Sequence, residues 1–475
     1  MSKLNAAGAA PAESRTGPWR AAGSGLPGDE ENAVHRTHDA MAPPPPGSSA
    51  RTPQRRKVLV VFGTRPEAIK LAPVICELQR RWQRASPSSS LDPLLSHRPG
   101  TEPVTTKVCV TAQHRNLLDQ VLEIFAIVPD YDLNVMEENQ TPTQVAAAVL
   151  SRLEPILLAE RPDWVLVQGD TTSVAVAALA AFYARARVGH VEAGLRSGDK
   201  WQPFPEEINR RVAGSIADLH FAATERSRRN LLREGVPDDR ILVTGNPVID
   251  ALRWVASLPP TAAVEALLQR VGVEADTGGR RNGEPERSLR LPDSPAPRFL
   301  FVTAHRRENF GAPLEAICAA LREIAERYSG RLRVVYAVHP NPNVQEPVHR
   351  LLGNLPHVIL TPPLDYVSTV HILKRAYFIL TDSGGLQEEA PSLGKPVLVL
   401  REVTERPEGV EAGAARVVGT RRDDIVREAV RLLEDPTAYA AMATAVNPYG
   451  DGQASQRIVQ ALLDPDRVGS LDREK

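Results

Sequence analysis

The chain has 475 residues, long enough for two to three domains with a sizeable core. Its 57 Lys and Arg against 58 Asp and Glu leave a formal net charge of −1, so no bulk electrostatic attraction draws it to nucleic acid or to an anionic membrane. Hydrophobic residues at 42% and charged residues at 24% are those of an ordinary soluble protein, and no apolar run reaches membrane-spanning length or makes a secretory core, so a cytoplasmic location is expected. Cys76, Cys109 and Cys318 are widely separated and mostly flanked by apolar residues, which predicts buried free thiols; no metal site is expected from them.

Residues 1–56 are rich in Ala, Gly, Pro and Ser, lack a periodic apolar face, and are expected to form a disordered tail. The first strand, 57–62, runs through Val58-Leu-Val-Val-Phe-Gly63-Thr64-Arg65-Pro66-Glu67-Ala-Ile-Lys70 into a helix. Pro66 suits the first helical position, and Arg65 and Lys70 bring cations to a helix N-terminus that already favours anions; the segment suits a phosphate or an acidic sugar nucleotide. Residues 84–105 read as a solvent loop inserted before the next strand, 107–111. The strand 164–168 leads into Gly169-Asp170-Thr171-Thr172-Ser173, where Asp170 suits a helix cap as well as a chemical role. The strand 187–191 leads into Glu192-Ala-Gly194-Leu-Arg196, and Glu192 has no cap pattern behind it. Pro205 starts a helix in which Glu206/Arg210 and Glu207/Arg211 stand at i,i+4 spacing and can equally be surface pairs. Asp170, Glu192 and Glu206 together offer three carboxylates able to meet at one cleft as general acids and bases.

Strands at 219–222 and 241–244 complete this half, and a break is expected near Gly245-Asn246-Pro247. After a second inserted loop at 274–297, the strand 299–303 ends in Thr303-Ala304-His305-Arg306-Arg307, where a histidine beside two arginines points to phosphate. Strands follow at 332–338 and 357–360, and His339 stands in a similar place. The strand 377–381 ends in Asp382-Ser383-Gly384-Gly385, a turn whose backbone N–H groups can approach a phosphate closely, and Glu389 lies inside the next helix, where a carboxylate suits ribose hydroxyls. A strand at 396–400 follows, then a helix at 453–463 expected to cross back to the first domain, then a flexible tail at 464–475. The βαβα alternation predicts an α/β protein of two doubly wound, Rossmann-like domains, 57–245 and 246–452, with ligand between them beyond the carboxyl ends of the strands. No Gly-x-Gly-x-x-Gly follows the first strand, so no hydride cofactor is expected.

Several of these segments are familiar as a set. Gly63-Thr-Arg-Pro-Glu-Ala-Ile-Lys70, Thr111-Ala-Gln-His-Arg115, Gln168-Gly-Asp-Thr-Thr172, His190-Val-Glu-Ala-Gly-Leu-Arg196, Pro205-Glu-Glu-Ile-Asn-Arg210, His305-Arg-Arg-Glu-Asn309, Thr381-Asp-Ser-Gly-Gly-Leu-Gln-Glu-Glu389 and Thr404-Glu-Arg-Pro-Glu-Gly409 resemble, in order, the UDP-N-acetylglucosamine 2-epimerases of the bacterial, non-hydrolysing type. The resemblance covers about residues 57–463 apart from the two inserted loops. It implies two Rossmann-like domains in the glycosyltransferase-B arrangement with the active site in the interdomain cleft, a homodimer, no cofactor, and interconversion of UDP-N-acetylglucosamine and UDP-N-acetylmannosamine for cell-surface polysaccharide synthesis. By motif, Arg65 and His305 would contact the diphosphate. Ser383, Gly384, Gly385 and Glu389 would hold phosphate and ribose, and Lys70, Asp170, Glu192, Glu206 and Arg210 would line the sugar. Asp170, Glu192, Glu206 and His305 are the candidate catalytic residues. Gln113, Arg306 and His339 match positions that bind a second UDP-N-acetylglucosamine as activator. The chain departs from the pattern at Asn116, where a longer Gln or Glu is usual, at Glu402-Val403, where Asp-Thr is usual, and in its long N-terminal tail and the loop at 84–105.

The chemistry this implies is an elimination. The C2 hydrogen of the sugar has no carbonyl beside it, but departure of UDP from C1 makes it removable. A carboxylate then takes the proton, a 2-acetamidoglucal remains, and protonation on the opposite face with return of UDP inverts C2. Three other readings compete: a hydrolysing epimerase, a two-domain UDP-sugar transferase that needs an acceptor, and a nucleotide-sugar-binding regulator that would have lost the carboxylates this chain retains.

Overall fold

The computed structural model describes residues 56–85, 104–111, 115–137, 140–273 and 297–471. The expected tail at 1–55, most of both inserted loops, the activator candidate Gln113 and residues 472–475 lie outside the described residues.

Two parallel sheets organise the described chain. The first contains β1 (Arg56–Phe62), β2 (Val104–Val110), β3 (Tyr131–Asp132), β4 (Trp164–Gln168), β5 (Arg187–Ala193), β6 (Leu219–Ala222) and β7 (Ile241–Val243), in the order β3-β2-β1-β4-β5-β6-β7. The second contains β8 (Arg298–Thr303), β9 (Leu332–Ala337), β10 (Val358–Thr361), β11 (Ile379–Thr381), β12 (Val397–Val399) and β13 (Ala415–Val417), in the order β10-β9-β8-β11-β12-β13. Both sheets are covered on both faces, which is why their strands are nearly continuous in Val, Leu and Ile. In β1, Val58, Val60 and Phe62 enter one core cluster and Leu59 and Val61 the other, the two-residue alternation of a strand buried on each side. The protein is thus α/β with two Rossmann-like domains.

Strand order fixes where a ligand can go. In each sheet the direction of winding reverses beside the first strand, between β1 and β4 and between β8 and β11. The helices leaving these strand pairs diverge to opposite faces and open a crevice at the carboxyl ends. The segments singled out in the sequence, 63–70 and 169–173 in the first half and 303–306 and 382–389 in the second, follow these four strands.

Several expectations are corrected. The helix Val248–Ser257 falls in the segment read as the second domain, yet Val248, Ile249, Leu252 and Val255 pack into the core under the first sheet. The helix Ala454–Leu463 puts Ile458, Val459 and Leu462 into the same core, in keeping with the expected return of this helix and not a correction of it. The stretch expected to trail off as a flexible tail instead forms a 3-10 turn, Pro465–Arg467, and a helical turn, Val468–Leu471, with Val468 buried. The loop read as 84–105 is shorter at both ends, because the helix Arg65–Ala85 and β2 encroach on it. β3 and β13, two and three residues long, were not foreseen; a strand that short carries no readable alternation.

The segment Gly245-Asn246 and the later segment Tyr449-Gly450 touch. The Asn246 N–H donates to the Tyr449 carbonyl at 2.7 Å. A Cβ at Gly245 would stand 3.0 Å from the Gly450 Cα, and Gly245 has φ +82, so glycine is required there on both counts. Among the described residues, no helix is long and apolar enough to cross a membrane.

Candidate active site

The turn after β1 corrects the simplest reading of the opening motif. Its N–H groups do not wait for an anion: Glu67 Oε2 accepts the N–H of Gly63 at 2.6 Å and of Thr64 at 2.9 Å. Glu67 Oε1 accepts the Thr171 hydroxyl at 2.6 Å and so ties the turn after β1 to the turn after β4. Burial pushes the Glu67 carboxyl above its usual range despite these bonds. What the motif still offers a ligand are its cations, Arg65 and Lys70.

Lys70 reaches across to Glu192, Nζ to Oε2 at 2.6 Å. Glu192 lies inside β5 and not after it, at a register irregularity between Val191 and Ala193, with φ +63. That left-handed backbone on a non-glycine residue costs about 1–3 kcal/mol and is tolerated where the surroundings fix it. Gln168 also donates to Glu192 Oε2, and Asn246 Nδ2 donates to Oε1 at 3.0 Å. Burial disfavours the Glu192 charge, but Lys70, Arg406 and Arg210 outweigh it and hold the carboxyl below its usual range. Burial likewise opposes the charge on Lys70, and Glu192 and Glu388 overcome it and hold the amine above its usual value.

Asp170 is not the helix cap. Thr171 caps the helix Thr172–Tyr183, its hydroxyl accepting the Val174 N–H. Asp170 Oδ2 instead accepts Arg210 Nε at 2.9 Å and Nη2 at 2.7 Å. The expected Glu206/Arg210 pair does not form: the guanidinium turns to Asp170 and to Glu207, Nη1 to Oε2 at 2.8 Å. The Glu207/Arg211 pair is present at 3.5 Å. Glu207 is fully buried and also accepts the N–H groups of Ser197 and Gly198, so it is a bracket for Arg210 and the preceding loop. Glu206, at the start of the helix Glu206–Ile216, keeps a buried Oε2 with no hydrogen-bond partner among the described residues.

In the second half, buried Asp382 organises the end of β8. Its Oδ2 accepts the N–H groups of His305 at 2.7 Å and Arg306 at 2.8 Å and the Asn309 amide at 3.0 Å. The His305 Nδ1 lies 3.4 Å from Asp382 Oδ1, and its ring stacks on His339 at 5.4 Å between centroids. Burial, helped by His339 and Arg306 and opposed by Asp382, holds His305 below its usual value. Ser383 stands at the N-cap of the helix Gly384–Ser392 with no side-chain cap bond. A Cβ at Gly384 would lie 3.8 Å from Arg306 Nη2 and 3.9 Å from the Arg406 guanidinium, so two cations face the helix N-terminus where it begins. Glu389 accepts the Tyr366 hydroxyl at 3.1 Å, and burial pushes its carboxyl up to about 7. Burial likewise raises the Tyr366 hydroxyl, and the Arg65 guanidinium, from the first half, opposes the rise of both groups without reversing it.

One hydrogen-bonded chain joins the halves. Lys70 and Gln168 hold Glu192, Asn246 Nδ2 donates both to Glu192 and to Glu388 Oε2 at 2.7 Å, and Arg406 closes on Glu388 Oε1. Glu67, Asp382, Glu388 and Arg406 lie inside the sequence motifs without an assigned role, Asn246 marks only the expected break, and Tyr366 lies outside every motif. The readable signal was strongest for Glu67: Thr64-Arg-Pro-Glu67 is a capping-box spacing.

This geometry has close counterparts. The family model for UDP-N-acetylglucosamine 2-epimerase matches residues 99–463. A UDP-N-acetylglucosamine 2-epimerase of Escherichia coli (strain K12) is 50% identical over 406 residues, covering 86% of this chain and 98% of that protein. The crystal structure of UDP-GlcNAc 2-epimerase from Neisseria meningitidis bound to UDP-GlcNAc is similar at TM-score 0.70 and 43% identity, over 86% of this chain and 99% of that one. The Methanocaldococcus jannaschii UDP-GlcNAc 2-epimerase in complex with UDP-GlcNAc and UDP is similar at TM-score 0.65 and 31% identity, over 86% and 99%. Family match, identity and fold agree: the chain belongs to the UDP-N-acetylglucosamine 2-epimerase family.

Proposed function

We propose that the protein interconverts UDP-N-acetylglucosamine and UDP-N-acetylmannosamine without hydrolysis, by elimination and re-addition of UDP. The observation that carries the reading is the pairing of two carboxylates at the ends of β4 and β5, Asp170 on Arg210 and Glu192 on Lys70, the second in a network continuous with the helix that begins at Gly384. Acids and bases thus stand on one side of the crevice and anion-binding groups on the other.

The uridine nucleotide would bind to the second half. Ser383, Gly384 and Gly385 present backbone N–H groups at a helix start, Arg306 and Arg406 face that start, and Glu389 beside Tyr366 meets the ribose. His305 and Arg65 would stabilise the leaving diphosphate; such aimed charge is worth most where charge develops in the transition state. The sugar would lie toward Lys70, Asp170, Glu192, Glu206 and Arg210. One carboxylate takes the C2 proton as the C1–O bond breaks and its electron pair leaves with UDP. A proton returned to the opposite face of the 2-acetamidoglucal, with UDP adding back at C1, gives the epimer. Proton transfer by each positioned group contributes about 10²–10⁴-fold. Arg306 and His339 flank His305 and are the described part of the activator reading.

Product analysis tests this. Incubation with UDP-N-acetylglucosamine alone should give UDP-N-acetylmannosamine. Free N-acetylmannosamine rising in step with turnover would instead mean hydrolysis, and no change without an added acceptor would mean transfer.

A further inference from the structure

Asn246 occupies an unusual position. It follows Gly245, its own N–H is fixed to the Tyr449 carbonyl of a distant segment, and its Oδ1 accepts the Val248 N–H at 3.3 Å. The side chain is buried, and its one amide nitrogen donates to two carboxylates from the two halves, Glu192 Oε1 at 3.0 Å and Glu388 Oε2 at 2.7 Å. Two acceptors facing the same end of the carboxamide fix which end is nitrogen. Glu388 lies in the helix whose first turn carries Gly384 and Gly385. Asn246 is therefore the link through which that helix can act on the orientation of Glu192.

We propose that Asn246 is a positioning residue: its carboxamide aligns Glu192 for proton transfer only when the helix Gly384–Ser392 has swung into place against the first domain, so that the acid is assembled as the nucleotide-binding half closes. This rests on the reading of Glu192 as a sugar-side acid. The Asn246 side chain hydrogen-bonds to Glu192, Glu388 and Val248 and not to Ser383–Gly385 or Glu389, so its loss should act on closure and turnover and not on the nucleotide contacts themselves.

The variants are Asn246→Asp, which keeps the shape but puts an acceptor between two acceptors, and Asn246→Ala, which removes the bridge without adding charge. The rate of C2 hydrogen exchange should fall by about 10²-fold, the scale of a misplaced catalytic group, and UDP affinity by titration calorimetry should fall only by what closure contributes to binding. Glu388→Gln supplies a second test, because Asn246 and Arg406 donate to different oxygens of Glu388 and glutamine keeps an oxygen at only one of those two positions. Its effect and that of Asn246→Ala should be strongly non-additive, as expected for residues in one network. A fluorescence pair spanning the two domains gives a readout independent of turnover: UDP should narrow the distance distribution in the wild type and leave it broad in Asn246→Asp. Wild-type exchange rates in Asn246→Asp, additive effects with Glu388→Gln, or equal narrowing in both proteins would each overturn the proposal. A wild-type protein that exchanges no C2 hydrogen sinks the proposed function instead, and the fluorescence comparison still decides the role of Asn246.

Discussion

Arg210 holds Asp170 through two nitrogens, Nε at 2.9 Å and Nη2 at 2.7 Å, and both bonds end on the same oxygen, Oδ2. Behind it, fully buried Glu207 fixes the third nitrogen at 2.8 Å. The carboxylate is set by a planar fork that lysine cannot reproduce. Asp170→Asn, Glu192→Gln and Glu206→Gln should each slow C2 hydrogen exchange by about 10²–10⁴-fold with UDP affinity kept. Arg210→Lys should slow it by about 10²-fold through misplacement of Asp170. A variant exchanging at the wild-type rate removes that residue from the proton-transfer set.

Glu67 makes a structural prediction. Its two oxygens satisfy the N–H groups of Gly63 and Thr64 and the Thr171 hydroxyl. Glu67→Ala leaves these groups without their acceptor, at about 1–3 kcal/mol for each one left buried. Glu67→Gln keeps one oxygen for both amides and offers its NH₂ to the Thr171 oxygen, so it should unfold close to the wild type in urea. Equal destabilisation by Ala and Gln would contradict this account of the turn.

Glu389 predicts a pH dependence. Its carboxyl is raised to about 7 by burial, whereas in the unfolded chain it ionises near the usual value of 4.5. As pH rises between these values the unfolded chain loses its proton first, so folding stability falls with rising pH and the loss is complete above 7. The full effect is about 3 kcal/mol. Glu389→Gln removes it, so the stability of the variant relative to wild type should improve between pH 4 and pH 8. A difference that stays constant with pH would show that the charge is not buried at a cost.

His305 is held low by burial and by His339 and Arg306. A diphosphate beside it favours the imidazolium, so saturating UDP should raise its pKa in an NMR titration. No movement would place the diphosphate away from this ring.

The architecture was legible because strands covered on both faces read as unbroken apolar runs; all eleven expected strands are present, and the two missed, β3 and β13, are outermost strands of two and three residues. The candidate site was legible in part because doubly wound sheets put ligands at strand ends, and Asp170, Ser383 and His305 stand there. Glu192 was legible as a residue and misplaced in conformation, since nothing in His190-Val-Glu-Ala announces a positive φ. Arg210 was paired with the wrong partner because i,i+4 spacing shows which helix neighbours are in reach, not that a carboxylate from β4 competes for the guanidinium. Asn246 and Tyr366 could not be read, because their importance lies in contacts between distant parts of the chain.

The central claim is that acids of the first half move the C2 hydrogen while groups of the second half hold a departing UDP. The most direct measurement is incubation with UDP-N-acetylglucosamine in deuterated water, followed by NMR of the sugar. The account predicts deuterium at C2 of the UDP-N-acetylmannosamine formed and progressively of the UDP-N-acetylglucosamine that remains. Epimer formed with its original C2 hydrogen retained would contradict it.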